Sequence, residues 1–372
     1  MEPSGSRNGS AFSGQEPAPS SEQENEAAPD GSPDPARGSW VGIVANRASG
    51  TGAGRQLVFR LERELASQGI DAQIAWTPEE RQTLVARTGP HSGCRCLVAV
   101  GGDGTVSALV NEQPKVPITV LPAGTENLAS QHFGLRRNAH WLARTIAAGH
   151  VVRSDVGIAD GRRFLLMTGF GFDGDVVTRH HRSRTSRSGN VRPTNRAAYV
   201  EPILRSSLFY RFPPIHVAIT DPGAEEELSG TTVFVFNLPR YALGLPFAPG
   251  ARQDDGLLDL VVFRDPGPFQ ALYYLWRVFC RTHLDHPGVY HRRVRRVVLS
   301  TDHSVPVQLD GDPAGFLTRG HHGRASGDRT GVEPSSNWII EAVPGAVDVL
   351  VPAPKPARKT PPVPLARTRA SR

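Results

Sequence analysis

Lysine is nearly missing from this chain of 372 residues; Lys115, Lys355 and Lys359 are its whole supply. No Gly-Lys-Ser or Gly-Lys-Thr occurs, which excludes a P-loop nucleotide site. Phosphate charge must then be met by backbone N–H groups, arginine or a metal ion. Cysteine is scarce too: Cys94, Cys96 and Cys280. Three thiols make no disulfide framework, and no His or Cys pair completes a zinc site with Cys94 and Cys96. They read as small core residues just ahead of a strand, in a protein suited to a reducing cytoplasm. No window approaches about 18 uninterrupted apolar residues, so no membrane-spanning helix is expected. The N-terminus has no apolar stretch of the secretory kind, which makes the expected location cytoplasmic.

What is present is a length that suits two domains, each with its own core. The net charge of +6 is unevenly spread. Residues 1–38 hold seven acidic and two basic side chains, and residues 353–372 hold six basic and no acidic ones. Both ends are rich in Pro, Ser, Gly or Ala without apolar periodicity, and both read as disordered tails. The basic tail reads first as solvated and second as a contact for an anionic membrane.

The stretch from Leu97 to Val106 (LVAVGGDGTV) runs from an apolar strand through a glycine-rich turn into a helix. Such a turn offers backbone N–H groups and a helix N-terminus to phosphate. Asp103 could hold Mg²⁺ against a polyphosphate, or could cap its own helix. Upstream lie a strand over 39–46, a Gly/Ser turn over 47–54, and a helix with Leu57, Val58, Leu61 and Leu65 on one face. A strand over 70–76 ending at Thr77 and a helix near 79–87 follow. Downstream, a strand over 116–121 runs into Pro122-Ala123-Gly124-Thr125-Glu126-Asn127, where Thr125 either contacts nucleotide or caps the next helix. Alternating strands and helices argue a parallel α/β sheet, whose ligands sit at the C-terminal strand ends. The turns after residues 46, 77, 101 and 122 all fall at such ends.

Beyond Gly149 the pattern becomes β-rich, with runs over 152–159, 163–168, 215–220 and 231–237. Asp173, in Gly-Phe-Gly-Phe-Asp-Gly-Asp, lines a cleft or forms a turn. The Arg- and His-rich run 179–196 has no interleaved aromatics, which argues against nucleic acid. It reads as a solvated loop, with anionic lipid headgroups as the second choice. Residues 269–280 (FQALYYLWRVFC) are apolar almost all round and predict a buried helix, with access for a lipid tail as the alternative. A strand ends at Asp310-Gly311-Asp312-Pro313. Residues 314–333 read as an insertion in which His321 and His322 face solvent, and strands over 337–343 and 347–351 close the pattern.

Gly-Gly-Asp-Gly-Thr, followed after one strand by Pro-Ala-Gly-Thr-Glu-Asn-Leu-Ala, resembles the diacylglycerol kinase catalytic-domain family of bacterial lipid kinases, sphingosine kinases and ceramide kinase. The resemblance covers residues 40–352. It implies a phosphofructokinase- and NAD kinase-like α/β domain over 39–149 and a β-rich lipid-binding and catalytic domain over 150–352. It also implies ATP binding at Gly101, Gly102, Asp103, Gly104 and Thr105, with further contacts from Asn46, Ser49, Gly50, Thr77, Gly124, Thr125 and Asn127. Asp103 would act through Mg²⁺. The segment Asp254-Asp255-Gly256-Leu257-Leu258-Asp259 is similar to a family signature that implies a structural Mg²⁺ on the Asp255 side chain and the carbonyls of Arg252 and Leu257. Asp310-Gly311-Asp312-Pro313 stands where the family has Asp-Gly-Glu-Pro. The implied general base is Asp310, with Asp312 orienting it or tuning its pKa. Ser107-Ala108 and Leu128 depart from the family's Asn-Glu and Asp.

The expectation is an ATP- and Mg²⁺-dependent kinase acting on a hydroxyl of a lipid such as diacylglycerol or a sphingoid base. It would be cytoplasmic, with peripheral contact at the inner face of the membrane and no nucleic-acid partner. An NAD kinase-like enzyme and a non-catalytic nucleotide- or lipid-binding relative stay open as rivals, and a homodimer stays open as the state of assembly.

Overall fold

The structure, a computed structural model, describes residues 38–45, 53–184, 198, 200–319 and 337–354. The tails, save Gly38 and residues 353–354, lie outside the described residues. So do the turn carrying Asn46, Ser49 and Gly50, the end of the Arg-rich run, and His321 and His322.

The first half alternates as its periodicity requires. It holds β1 (Trp40–Ala45), α1 (Ala53–Ala66), β2 (Asp71–Ala75), α2 (Pro78–Ala86), β3 (Cys94–Gly101), α3 (Asp103–Asn111), β4 (Ile118–Pro122), α4 (Leu128–His132) and α5 (Ala139–Ala148). The strands pair in parallel in the order β2-β1-β3-β4. Helices cover a parallel sheet on both faces, so its strands are continuous apolar runs; Leu97 to Val100 are all buried. Val58, Leu61 and Leu65 of α1 are fully buried, as a 3.6-residue stripe demands. Cys94 and Cys96 are buried inside β3 rather than ahead of it. Asn138 caps α5 by accepting the Trp141 N–H at 2.9 Å, and Gly149 ends that helix at φ 67°, a conformation glycine takes without strain.

The second half begins with β5 (Val151–Ala159), β6 (Arg162–Phe164), β7 (Met167–Gly171), α6 (Phe172–Arg184), α7 (Val200–Phe209), β8 (Ile215–Ile219) and β9 (Glu226–Gly230). It continues with β10 (Thr232–Phe236), β11 (Leu258–Phe263), α8 (Pro268–Phe279), β12 (Val289–Val294), β13 (Arg296–Ser300), β14 (Val305–Leu309), β15 (Asp312–Leu317) and β16 (Asn337–Leu350). Among the described residues β12-β11-β10-β7-β14-β15 form one antiparallel sheet. The other sheet runs β2-β1-β3-β4-β16-β13-β8-β9, with β5 beside β16 and β6 beside β5. Phe164, Phe170, Val233, Val307, Ile340 and Trp338 belong to one buried cluster between the second-half strands, with Phe170 and Trp338 edge to face at 5.4 Å. An α/β half and a β-rich half are therefore both present.

Several local expectations change. The run 163–168 splits into β6 and β7, because Leu165 and Leu166 turn inward between them. The run 179–196 starts as helix through Arg184, not as loop. Asp173 lies in the first turn of α6, and residues 314–317 belong to β15. The closing strands are one, β16, with a register shift between Val343 and Val347. This strand pairs in parallel with β4, Val349 opposite Ile118, so the sheets do not part at Gly149 as the chain pattern does. The helix read as buried is α8. It buries Tyr274 and Val278 and exposes Phe269, Leu272, Tyr273, Trp276 and Phe279. No described helix is long and apolar enough to cross a membrane.

Candidate active site

Because β3 and β4 are parallel neighbours, the loops that leave them lie side by side. The Ala123 N–H donates to the Gly101 carbonyl at 2.8 Å. A Cβ at Gly124 would sit 2.5 Å from the Gly102 Cα, and one at Gly102 would sit 3.2 Å from the Gly124 Cα. At position 124 only glycine allows this approach. Gly102 is the N-cap of α3 and has no side chain to satisfy the first-turn N–H groups, which an anion can then take.

Asp103 does not cap its own helix. Its carboxylate oxygens accept the Ala129 N–H and the Leu128 N–H, each at 3.0 Å, across a gap of some 25 residues in sequence. It therefore holds the N-terminus of α4 against the glycine loop. Burial pushes its carboxyl above the ordinary range; those N–H groups pull it back and Glu126 pushes it up. The N-cap position of α4 is Asn127, not Thr125. Asn127 sits at φ 53° and spends its amide on Gly124, accepting its N–H at 2.9 Å and donating to its carbonyl at 2.8 Å. Thr77 caps α2 in a capping box with Glu80.

From the other half, β14 delivers Asp310 at φ 50° and β15 begins at Asp312. Asp310 is buried, and its carboxylate accepts three backbone N–H groups: Leu165 at 2.9 Å, Leu166 at 2.8 Å and Met167 at 3.1 Å. Burial raises its pKa to about 6; the three N–H groups pull down and the charge of Asp103 pushes up. A Cβ at Gly104 would lie 3.2 Å from Asp312 Oδ2. The glycine loop of one half and the carboxylate turn of the other thus face one another across a short gap.

Both open on one cavity of about 650 Å³. Thr77, Gly102, Asp103, Gly104, Thr105, Gly124, Thr125, Asp310 and Asp312 all line it; Gly101 and Asn127 belong to the same loops but are not among its lining residues. The lining also includes apolar side chains, among them Val176, Val177, Phe234, Phe247, Leu275 and Val278, with the Phe234 and Phe247 rings 5.3 Å apart. Asp173 lines the cavity as well. Burial raises its pKa to about 7 against the hydrogen bonds of Gln308 and Tyr241. Gln308, wholly buried, donates to Asp173 Oδ2 at 2.8 Å and accepts the Gly311 N–H at 2.8 Å, so one amide sets both the acidic turn and Asp173. Gln308 carries no motif in the chain. The available signal was a lone amide between two inward apolar residues of a strand.

Arg252, Asp255 and Leu257 lie outside this cavity. Asp255 accepts the Leu257 N–H at 3.1 Å and pairs with Arg293 at 3.3 Å. The buried Asp155 fixes the same turn by accepting the Gly256 and Gly345 N–H groups, each at 2.7 Å. No group of three or more His, Cys, Asp or Glu side chains preformed for a metal occurs among the described residues. The carboxylates around the glycine loop are hard oxygen donors that fit a magnesium ion carried in with a polyphosphate.

Two family models match the chain: the diacylglycerol kinase catalytic domain over residues 41–159, and the YegS C-terminal NAD kinase beta sandwich-like domain over residues 168–351. A diacylglycerol kinase of Mycobacterium tuberculosis is 26% identical over 283 residues, covering 73% of this chain and 88% of its own length. A diacylglycerol kinase of Staphylococcus carnosus is 23% identical over 291 residues, 75% of this chain and 92% of its own. A crystal structure from Bacillus anthracis str. Sterne superposes with a TM-score of 0.63 at 20% identity, covering 88% of this chain and 98% of its own, and so shares the fold.

Proposed function

The chain belongs to the diacylglycerol kinase catalytic-domain family, and from that premise we propose that it moves the γ-phosphoryl group of ATP to a hydroxyl of a lipid acceptor such as diacylglycerol or a sphingoid base. The observation that carries this reading is the mixed lining of one cavity. Glycine loops and carboxylates line it together with apolar side chains suited to hydrocarbon, among them the packed rings of Phe234, Tyr241, Phe247 and Phe263. A dinucleotide acceptor would find little to bond on those apolar side chains, which weighs against the NAD kinase reading.

Phosphoryl transfer needs positioning and charge neutralisation more than covalent help. The first-turn N–H groups of α3 and the loops at Gly101–Thr105 and Gly124–Asn127 hold the phosphates, with Thr77 at the rim. Asp103 and Asp312 are the side chains that would hold Mg²⁺, which supplies charge neutralisation when bound. Asp310 accepts the proton of the attacking hydroxyl. Its three N–H bonds keep it ionised at neutral pH and fix its direction. Asp312, which faces Gly104, would orient Asp310 or tune its pKa. A structural Mg²⁺ is assigned to Asp255 with the carbonyls of Arg252 and Leu257, in competition with Arg293. Location is read as cytoplasmic, with peripheral contact at the membrane where the lipid resides.

Asp103 and Asp310 each spend both carboxylate oxygens on backbone N–H groups, which favours one rival, a relative that binds nucleotide or lipid without transfer. Asp310→Asn separates the two. Transfer from labelled ATP to lipid is expected to fall by about 10²- to 10⁴-fold with ATP affinity kept. Wild-type protein that binds ATP and labels no lipid supports the non-catalytic reading instead.

A further inference from the structure

α8 carries two apolar stripes. Ala271, Tyr274, Leu275 and Val278, spaced i, i+3, i+4, i+7, all line the cavity. Phe269, Leu272, Tyr273, Trp276 and Phe279 follow the same spacing on the other side, where His286 partly covers Tyr273 and the ends of the stripe stand in the open. Phe269 is 86% exposed, Phe279 70% and Trp276 57%. α7 packs against α8 and repeats the arrangement. Ile203 lines the cavity, while Leu204, Leu208 and Phe209 are exposed, the last two at 70% each. An apolar surface of this extent on two adjacent helices marks an interaction site rather than scattered exposure.

We propose that the outer faces of α7 and α8 dock on the surface of an anionic lipid bilayer, and that lipid passes between these helices into the cavity. This rests on the lipid-kinase reading above. Three observations select a bilayer over a protein. The same two helices line the cavity with their inner faces, so a covering partner protein would close the chamber to its substrate. The outer stripe includes Trp276 and Tyr273, aromatic side chains with a polar edge, as interfacial helices favour. The charges on and next to the outer faces are mainly cationic: Arg277 is the one charged side chain of α8, Arg281 and Arg211 lie just beyond the two helices, and the one acid of α7, Glu201, is paired with Arg205 at 2.6 Å. Asp265, just before α8, lines the cavity and accepts the Tyr274 hydroxyl, and Asp285 follows Arg281 by four residues. Basic side chains at the margin of an apolar face draw anionic headgroups.

Sedimentation of the full chain with vesicles of phosphatidylcholine, with and without phosphatidylglycerol, tests this without ATP. Wild type is expected to bind, more tightly where phosphatidylglycerol is present. The double variant Trp276→Ser with Phe279→Ser is expected to lose about tenfold or more in partitioning. Its turnover of a short-chain, monomeric diacylglycerol is expected to stay unchanged, which also shows that it folds. Lipids brominated on the acyl chain are expected to quench wild-type fluorescence more than that of Trp276→Phe. Equal vesicle binding by wild type and the double variant overturns the proposal. So does a wild-type dimer that the double variant dissociates, since the face would then belong to a second copy. Vesicle binding with no phosphorylated lipid overturns the kinase reading and leaves this surface standing.

Discussion

Asp310 and Asp173 are carboxylates that folding drives toward the protonated form, to about 6 and about 7, chiefly through burial. A carboxyl whose folded pKa lies above its unfolded value binds more protons folded than unfolded. Its stabilising contribution is full below the unfolded value near 3.8 and is lost as pH rises through the folded one. Asp173→Asn removes that loss while keeping an oxygen for Gln308. Its melting temperature is expected to exceed that of wild type at pH 8 and to converge with it near pH 4; thermal scans across that range read the difference. Equal differences at both ends would contradict the burial argument. For the reaction, kcat/KM is expected to fall with a one-proton slope below about pH 6, as the Asp310 carboxylate is protonated. A pH profile on a soluble short-chain acceptor reports this. The residue types at 103, 310 and 312 were legible from the chain. Their bonds were not: the partners of Asp103 lie some 25 residues away and those of Asp310 more than 140. No local pattern shows that Asp103 serves α4, or that Asp310 takes a left-handed conformation.

Elements followed the sequence wherever periodicity and burial agree. Strands β1 to β4 fell within one or two residues of their expected positions, except β3, which begins at Cys94, because a two-sided parallel sheet writes apolar runs into the chain. The expectation for α8 failed because composition cannot tell a helix buried on all sides from one with an apolar outer face. Both are apolar all round. β16 was read as two strands because its register shift falls at Val343–Val347, around Pro344 and Gly345. Two predictions belong to loops. Gly124→Ala forces a Cβ to within 2.5 Å of the Gly102 Cα, so the glycine loops must part. A stability loss of about 1–3 kcal/mol is expected in denaturant titration, with weakened ATP binding in calorimetry. Wild-type ATP affinity in the Gly124→Ala protein would show that the two loops need not touch. At the 252–257 turn, Arg293→Ala frees an oxygen of Asp255. Thermal stabilisation by Mg²⁺ is expected to grow in this variant, and no change would argue against a cation there.

At the scale of the whole molecule, the long sheet joins the two halves. β16 leaves the β-rich half and pairs with β4, whose neighbour β3 carries the glycine loop. The carboxylate turn comes from the other sheet, between β14 and β15. Two sheets therefore bring residues 103 and 310 to one cavity, close enough for the charge of one to raise the pKa of the other. The apolar side chains lining the same cavity would favour an acceptor that carries hydrocarbon, as proposed above. The most direct measurement supplies γ-labelled ATP and Mg²⁺ with diacylglycerol, sphingosine, ceramide and NAD in parallel, and follows the label. Label in an organic-phase lipid product, absent with Asp310→Asn, is the predicted result. Label on NAD, or none on any acceptor while ATP still binds, would contradict the account.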